Sequence, residues 1–294
     1  MTRQQPVRHV FACGYSRSGT TLLTTILDAH PDVAMGYEIL PNPLPTLVES
    51  VRLLGEANDA PGRAEEWLRE RDQPDLAKFV ANARWSGVGA RGVAHIARRM
   101  LESGASDLES VGDRAELAMA VADRKRRKLG ATVSGFKANT PRLVTLRRRY
   151  PDSVFVFVVR DPRDVVASLR SRGSVTPVAD ITRSWRRFLT GFRLLRAMRP
   201  RQAVLVRYED LVAEGEAQFQ RIFAGLGLEV TDDVRQFWDS GATILGKRQN
   251  NAATVGVDLF TTSTRRWERD LDPVEAEEVA RRCRRSMRRL GYSN

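Results

Sequence analysis

The segment from Val10 to Leu40 constrains the fold of this chain more than any other stretch. Its sequence, VFACGYSRSGTTLLTTILDAHPDVAMGYEIL, has an apolar strand, a loop framed by Gly14 and Gly19, and a helix. The loop has the spacing of the nucleoside-triphosphate P-loop, G-x-x-x-x-G-K-[ST], except that Thr20 stands at the lysine position. The glycines allow backbone N–H groups to surround a tetrahedral anion at a helix N-terminus, where the dipole favours negative charge.

The threonine at position 20 changes the chemistry that this loop can support. A lysine there would reach the outer phosphates of a nucleotide, whereas the cation inside this loop is Arg17. The Thr21 hydroxyl could hold a magnesium ion, but no acidic residue at a strand end is an obvious partner for that ion. The loop therefore predicts an anion site that uses hydroxyl groups, backbone N–H groups and a guanidinium without a metal.

Short apolar, β-branched runs alternate with helical patterns along the rest of the chain. This alternation is typical of βαβ units and a parallel sheet. We predict a single α/β domain over residues 1–294: a three-layer, P-loop-like fold with a central parallel sheet flanked by helices. The prolines that begin three of the predicted helices are tolerated in a first turn. The predicted strands are His9–Cys13, Thr132–Phe136, Val154–Val159 and Ala203–Arg207, with a short strand after Pro31, and the predicted helices are Gly19–Ala29, Pro141–Arg149, Pro162–Arg170, Ile181–Met198, Glu216–Leu226 and Pro273–Leu290.

The region at about 41–128 has a different pattern from the rest of the chain. It begins with the run PNPLP at 41–45, contains several glycine breaks and has no convincing strand. We predict a helical cap inserted after the second strand, lying over the crevice at the carboxyl ends of the strands. Because ligands of open α/β sheets bind in that crevice, we expect substrate specificity to lie in the cap.

The net charge of +12 limits the classes of partner. A solvated basic surface and the attraction of a polyanionic ligand both fit this charge. Nucleic-acid binding is the third interpretation. We do not expect it, because the arginines are dispersed or lie on helices and no known nucleic-acid-binding module is visible.

Other features of the sequence concern location. No run of about 18 apolar residues occurs, so no membrane span is expected. The chain starts with the polar stretch Met1–Arg8, and its two cysteines, Cys13 and Cys283, are far apart in sequence. We therefore expect a reducing, cytoplasmic location without a signal peptide or a disulfide framework. The sequence leaves open whether the protein forms a homodimer.

Two motifs resemble those of the sulfotransferases that use 3′-phosphoadenosine 5′-phosphosulfate (PAPS). The run RSGTTLL at 17–23, followed by HP at 30–31, is similar to the 5′-phosphosulfate loop of that family. About 140 residues downstream, FVFVVRDPRDVVAS at 155–168 is similar to the family's 3′-phosphate motif, an apolar strand that ends in Arg with a Ser eight residues later. The resemblance covers roughly residues 8–38, 130–211 and 255–272 and is weak or absent across the cap.

The resemblance implies sulfuryl transfer from PAPS to a hydroxyl-bearing acceptor, with adenosine 3′,5′-bisphosphate (PAP) as product and no metal requirement. Such transfer is loose and in-line, so the protein mainly positions the reactants and stabilises charge. The expected cradle for the phosphosulfate is Ser18–Thr21, through its backbone N–H groups and the Thr20 and Thr21 hydroxyls. Arg17 and Lys137 are the expected cations, because Lys137 ends the predicted third strand and faces the same crevice.

Glu38 is the predicted general base, since it follows the short second strand at a strand-end position near the loop. The run from Arg17 to Glu38 resembles most the tyrosylprotein sulfotransferase branch, whose base is a glutamate at this spacing. That branch has two acidic residues after the glycine, whereas this chain has Tyr37 at the first of them. His30 is the competing base, but a His-Pro turn after a helix favours a structural role for it.

The nucleotide end of the site is implied by the second motif. Arg160, Ser168 and Arg172 match the family's ligands of the 3′-phosphate, where an arginine gives a permanently charged, bidentate contact. Tyr208 matches a family position near the nucleotide. The run TTSTRRW at 261–267 resembles a late loop that closes over PAPS, which implies roles for Ser263 and Arg266.

Two arginines next to the second motif have a different expectation. A helix over Pro162–Arg170 turns Arg163 and Arg170 away from Ser168. We therefore expect both arginines to lie on the surface.

Two other functional classes remain open. A P-loop kinase of a small molecule, using ATP and magnesium, would share the fold, but it would have no need of the Arg160/Ser168 pair. A basic nucleic-acid-binding protein is supported only by charge. The acceptor is a phenol, a sugar hydroxyl, a lipid alcohol or a peptide tyrosine, and the basic charge mildly favours an anionic one.

Overall fold

The structure, a computed structural model, describes residues 9–36, 38–40, 44–105, 108, 111–240 and 263–293. Within these residues a five-stranded parallel sheet has the strand order β2-β3-β1-β4-β5. The predicted parallel α/β fold is therefore confirmed. The strands are β1 (His9–Cys13), β2 (Val33–Gly36), β3 (Val133–Ala138), β4 (Val154–Val159) and β5 (Ala203–Arg207).

The sheet is built around β1, which pairs with β3 on one side and β4 on the other. Phe11 lies in register with Phe136 and Phe155, and its ring packs on theirs at centroid distances of 5.0 and 4.8 Å. Because the chain crosses from one side of β1 to the other, the carboxyl ends of these three strands border a crevice of the kind that binds ligands in open α/β sheets.

Helices cover both faces of the sheet. One face is covered by α1, α10 and α11 with two short helices, and the other by α6–α9 and the last helix. Apolar residues dominate both cores, as buried parallel strands require. The helices outside the cap are α1 (Thr20–Ala29), α7 (Leu143–Arg149), α8 (Pro162–Arg170), α9 (Val178–Met198), α10 (Tyr208–Ala213), α11 (Gly215–Leu226), α12 (Asp232–Arg235), α13 (Phe237–Ser240), α14 (Trp267–Asp270) and α15 (Pro273–Arg289).

The described part of residues 41–128 is helical and contains no strand. Each helix buries one apolar face, as α5 does with Val93, Ile96 and Met100. Helix α6 packs on β2 and β3 and so joins this region to the sheet. The helices are α2 (Leu47–Asp59), α3 (Ala64–Glu70), α4 (Pro74–Trp85), α5 (Ala90–Glu102) and α6 (Val111–Leu129).

Several boundaries differ from the predictions by one to three residues, and two of these differences bear on residues discussed above. Helix α7 begins at Leu143, so Pro141 precedes it and the prediction of Pro141 in its first turn is wrong. The Thr140 hydroxyl accepts the Arg142 N–H at 3.2 Å, which holds these residues in a turn outside the helix. Strand β3 extends to Ala138, so Lys137 lies within the strand. Among the described helices, none combines the length and apolar character needed to cross a membrane.

Candidate active site

The loop after β1 is held in a curled conformation by its glycines. Gly19 has φ 97° and forms the N-cap of α1, and a Cβ there would lie 2.5 Å from Cδ2 of Tyr208. A Cβ on Gly14 would lie 2.5 Å from the Val158 carbonyl oxygen. Arg17, between the glycines, has φ 66°, which is uncommon for a non-glycine residue. The loop backbone is thus packed too closely for larger residues at the two glycines.

The expected cradle lies at the start of α1. The Ser18 N–H donates to the Tyr15 carbonyl at 3.1 Å, so it closes the turn of the loop in this structure. The Ser18 hydroxyl is buried and has no hydrogen-bond partner among the described residues. Thr20 is 3% exposed at the N-terminus of the helix. A buried hydroxyl beside a helix N-terminus is chemically suited to an anion.

Lys137 connects the loop to the predicted base. Its side chain is 6% exposed, and Nζ donates to Thr21 Oγ1 at 3.2 Å and to Glu38 Oε1 at 2.7 Å. Glu38 follows β2 in a left-handed conformation, with φ 48°, and its carbonyl accepts a hydrogen bond from Asn82 Nδ2 at 3.1 Å. Three segments that are distant in sequence therefore meet at one ammonium group.

Arg160 connects the loop to the second motif. It directly follows β4 and is 5% exposed, and its Nη1 donates to the Arg17 carbonyl at 3.1 Å. The Arg17 Nε donates to Ser168 Oγ at 3.1 Å. The Arg160 guanidinium stacks on the Tyr208 ring at 4.7 Å, and its Nη2 donates to the Ser263 carbonyl. The two motifs identified in the sequence thus form one continuous site.

Two of the predicted nucleotide ligands lie apart from this cluster. Arg172 is in the exposed turn after α8, and no described contact joins its side chain to the loop. Arg266 donates from Nε and Nη2 to Asp270 Oδ2 at 3.0 and 2.8 Å. Tyr37 and residues 261–262, which belong to the motifs discussed above, lie outside the described residues.

The surface position predicted for Arg163 is wrong. Arg163 is 4% exposed, pairs with the Asp161 carboxylate at 2.7 Å, donates to the Ser293 carbonyl and stacks on the Trp267 ring at 4.0 Å. The first turn of α8 packs against the end of the chain, which buries a side chain that the helical pattern alone turns outward. Arg170 is partly exposed and pairs with Glu275 of α15.

Asp164 belongs to the site and is absent from the sequence predictions. Its side chain is 1% exposed, and its carboxylate accepts the backbone N–H groups of Arg265 and Trp267 at 3.0 and 2.9 Å. Burial raises the pKa of this carboxyl to about 6, and the nearby Arg160 opposes the rise. The available signal was its place in the first turn of α8, directly after the motif residue Arg160.

His30 has the structural environment expected of it. Its Nδ1 accepts the Asp32 N–H at 3.0 Å, and its Nε2 lies 3.0 Å from the Glu229 carbonyl oxygen. The ring stacks on Phe223 and is 4% exposed. Both nitrogens are thus occupied by the backbone, away from Lys137.

A cavity of about 270 Å³ lies between Glu38 and the helices of residues 44–128. Glu38 and Lys137 form one side of it. Helices α4 and α6 form the other side, so a ligand there would contact both the predicted base and this helical region. The lining residues are Glu38, Leu40, Asp75, Lys78, Phe79, Asn82, Val111, Arg114, Lys137, Asn139 and Thr140.

Comparisons with known proteins agree with this architecture. The chain is 25% identical over 270 residues to a putative protein-tyrosine sulfotransferase of Caenorhabditis briggsae, covering 88% of this chain and 80% of that protein. It is 26% identical to protein-tyrosine sulfotransferase A of Caenorhabditis elegans, covering 76% of this chain and 51% of that protein. The sulfotransferase domain of the Synechococcus PCC 7002 olefin synthase has the same fold, with a TM-score of 0.63 at 17% identity, covering 100% of this chain and 98% of that domain. The profile described as "Sulfotransferase family" matches residues 9–233, and the chain therefore belongs to the sulfotransferase family.

Proposed function

We propose that this enzyme transfers the sulfuryl group of PAPS to a hydroxyl acceptor, with Glu38 as the general base. One observation carries the proposal. The loop of residues 14–21 contacts Arg160 and Ser168 on one side and Lys137 on the other, and Lys137 contacts Glu38. A donor with an anion at each end and an acceptor hydroxyl would both be within reach of this single crevice.

The loop is the proposed site for the 5′-phosphosulfate. The N–H groups of Gly19, Thr20 and Thr21 lie at the N-terminus of α1, where the helix dipole favours an anion. The buried Ser18 hydroxyl supports this assignment, because a polar atom in that position needs a partner. Tyr208, packed against Gly19, would lie beside the nucleotide.

Arg160 and Ser168 are the proposed ligands of the 3′-phosphate. Arg160 is held by two carbonyl oxygens and a tyrosine ring, so its charge is fixed at the edge of the loop. Arg17 extends from the loop to Ser168, so its guanidinium lies between the two proposed anion sites. Ser263 belongs to the same cluster through its carbonyl. Arg172 and Arg266 are also proposed ligands, although no described contact joins either of them to Arg160 in this structure.

Glu38 and Lys137 are the proposed catalytic pair, with Arg17. Glu38 would take the proton of the acceptor hydroxyl as the new oxygen–sulfur bond forms. The bond between sulfur and the bridging phosphate oxygen breaks at the same time, and the electron pair leaves with PAP. Lys137 and the loop N–H groups would stabilise that charge, as preorganised donors do in phosphoryl transfer. No step of this scheme needs a metal ion.

The helical region of about 41–128 is the proposed acceptor-binding cap of a single domain. Its residues line the cavity beside Glu38, and Lys78 and Arg114 contribute positive charge that suits an anionic acceptor. The relatives named protein-tyrosine sulfotransferase make a tyrosine hydroxyl the first acceptor to test. Phenols, sugars and lipid alcohols are the acceptors to test next. We also propose a cytoplasmic enzyme without a nucleic-acid partner, either monomeric or homodimeric.

The donor that the protein uses, PAPS or ATP, distinguishes the proposed sulfotransferase from a kinase. The protein is incubated with acceptor panels and either radiolabelled PAPS in chelator or labelled ATP with magnesium. We expect label to move from PAPS to at least one acceptor, and the Glu38→Gln protein to lose that transfer. Magnesium-dependent transfer from ATP, with none from PAPS, would contradict the proposal and favour the kinase.

A further inference from the structure

Asp164 occupies an unusual place for a carboxylate, because it is buried beside a site proposed to bind anions. Its two oxygens are used separately. Oδ1 accepts the Trp267 N–H at 2.9 Å, and Oδ2 accepts the Arg265 N–H at 3.0 Å. Oδ2 also lies 3.8 Å from Nε of Arg160, four residues earlier in the chain. A negative charge on Asp164 would repel the phosphate that Arg160 is proposed to bind. A carboxylate at this position therefore needs another explanation.

The chain segment that Asp164 holds also contacts Arg160. The Ser263 carbonyl accepts a hydrogen bond from Arg160 Nη2, and the turn continues through Arg265, which has φ 52°. A left-handed arginine is strained and persists only where the surroundings fix it. Here the two bonds to Asp164 fix the turn, and Trp267 is further held by its contact with Arg163.

A free arginine side chain adopts several rotamers, so an unrestrained Arg160 would lose conformational entropy when it binds a phosphate. In this structure Nη1 is directed by the Arg17 carbonyl and Nη2 by the Ser263 carbonyl. The Ser263 carbonyl is in place because Asp164 holds the following turn. The guanidinium is thereby oriented before any ligand arrives.

We propose that Asp164 is a positioning residue, which fixes Arg160 and the turn at 263–267 as one unit so that the donor's 3′-phosphate is selected. The inference rests on the proposed function, since it assigns Arg160 to that phosphate. It predicts that discrimination for a 3′-phosphate is lost without Asp164 even though Arg160 remains. The charged groups that face Asp164 are Arg160, Asp161 and Glu209.

The experiment compares two nucleotides that differ only in the 3′-phosphate, PAP and adenosine 5′-monophosphate (AMP). Calorimetry gives the ratio of the AMP and PAP dissociation constants for wild type, Arg160→Ala and Asp164→Asn. We expect wild type to favour PAP strongly. We expect Asp164→Asn to lower this ratio about tenfold, with AMP affinity changed less than about threefold, on the scale of one charge-assisted hydrogen bond.

A matched control separates positioning from general destabilisation. Asp28 is a partly buried carboxylate that also accepts a backbone N–H, from Met35 at 2.8 Å, and it pairs with Lys125 of α6. Asp28→Asn is expected to lower the midpoint of thermal unfolding and to leave the ratio of the AMP and PAP dissociation constants unchanged. Asp164→Ser provides a second variant in case the asparagine protein does not fold.

Each outcome decides the inference. An unchanged ratio in both Asp164 variants overturns it, because the residue would then be only structural. A rise in PAP affinity also overturns it, because Asp164 would then act solely through its charge. A wild type that binds AMP as tightly as PAP contradicts the proposed donor site itself, which is a separate failure.

Discussion

The proposed donor site and the proposed cap are built in different ways. The donor site joins segments that are far apart in sequence through buried polar contacts, such as Arg17 to Ser168 and Arg160 to the Arg17 carbonyl. The cap is built from amphipathic helices that bury apolar faces against one another. Polar contacts that link the proposed cap to the rest of the chain include Asn82 to the Glu38 carbonyl and Lys125 to the Asp28 carboxylate.

This difference separates two kinds of constraint. A site that must surround a tetrahedral anion needs particular backbone conformations, so Gly14 and Gly19 cannot be replaced without a steric conflict. A helical cap needs apolar periodicity, which many sequences provide. The cavity between them is bordered on one side by Glu38 and Lys137, the proposed catalytic pair, and on the other by α4 and α6. Donor chemistry and acceptor choice are thus expected to respond to different mutations.

The largest expected effect is on the rate of sulfuryl transfer, with donor binding unchanged. Glu38→Gln should reduce transfer by ~10²-fold or more, the usual scale for a general base, with PAP affinity unchanged. Initial rates with PAPS and calorimetry with PAP check the two parts. Glu66→Gln, an exposed carboxylate of the cap, is the control and should be near wild type. Near-normal turnover of the Glu38 variant would remove it from the role of base.

The next effect concerns the donor side alone. Arg160→Ala should weaken PAP binding by about 10- to 100-fold, since hydrogen bonds to charged groups contribute about 1.5–3 kcal/mol each. The KM for the acceptor should not change. Arg221→Ala, at an exposed position of α11, is the control and should change PAP affinity less than about threefold. An effect of Arg160→Ala confined to the acceptor KM would mean that the donor is oriented the other way.

A smaller effect is expected from a mutation in the proposed cap that acts on Glu38. Asn82→Ala removes the hydrogen bond to the Glu38 carbonyl, and we expect kcat to fall by about threefold to tenfold with PAP affinity unchanged. Asn58→Ala is a matched control, because Asn58 donates to a carbonyl within its own cap helix. Equal losses of kcat in the two proteins would argue against a specific link between the cap and Glu38.

The smallest expected effect is a pH slope in stability. Burial raises the pKa of Asp164 from 3.8 to about 6, so the folded state binds more protons than the unfolded state between those values. The contribution of Asp164 to the free energy of unfolding should therefore become less favourable as pH rises from 4 to 7. Denaturant unfolding of wild type and Asp164→Asn over that range measures the difference. We expect the free energy of unfolding of wild type to fall relative to that of Asp164→Asn as pH rises. A constant difference, or a rise for wild type relative to the variant, would contradict the pKa assignment.

The sequence was most informative where a short motif determines its own backbone. The strand–loop–helix unit around Gly19 and the strand ending at Arg160 were both predicted from local patterns, and the structure brings them together. Parallel strands place their carboxyl ends at one edge, which is why Lys137 could be expected near the loop.

Features that depend on contacts between distant segments were not predictable. The burial of Arg163 depends on Trp267 and Ser293 packing against the start of α8, which no local pattern indicates. The turn held by Asp164 likewise depends on a segment about 100 residues downstream. The cavity lining depends on the relative positions of α4 and α6, whereas the sequence pattern predicted only that this region is helical.

The central claim is that one crevice holds both anionic ends of the donor without a divalent ion. Calorimetric titration of PAP into the wild-type protein, in buffer that contains a strong chelator, tests it most directly. We predict saturable binding of one PAP per chain that is unchanged when magnesium is restored. An absence of binding at millimolar PAP, or binding that appears only with magnesium, would contradict the claim.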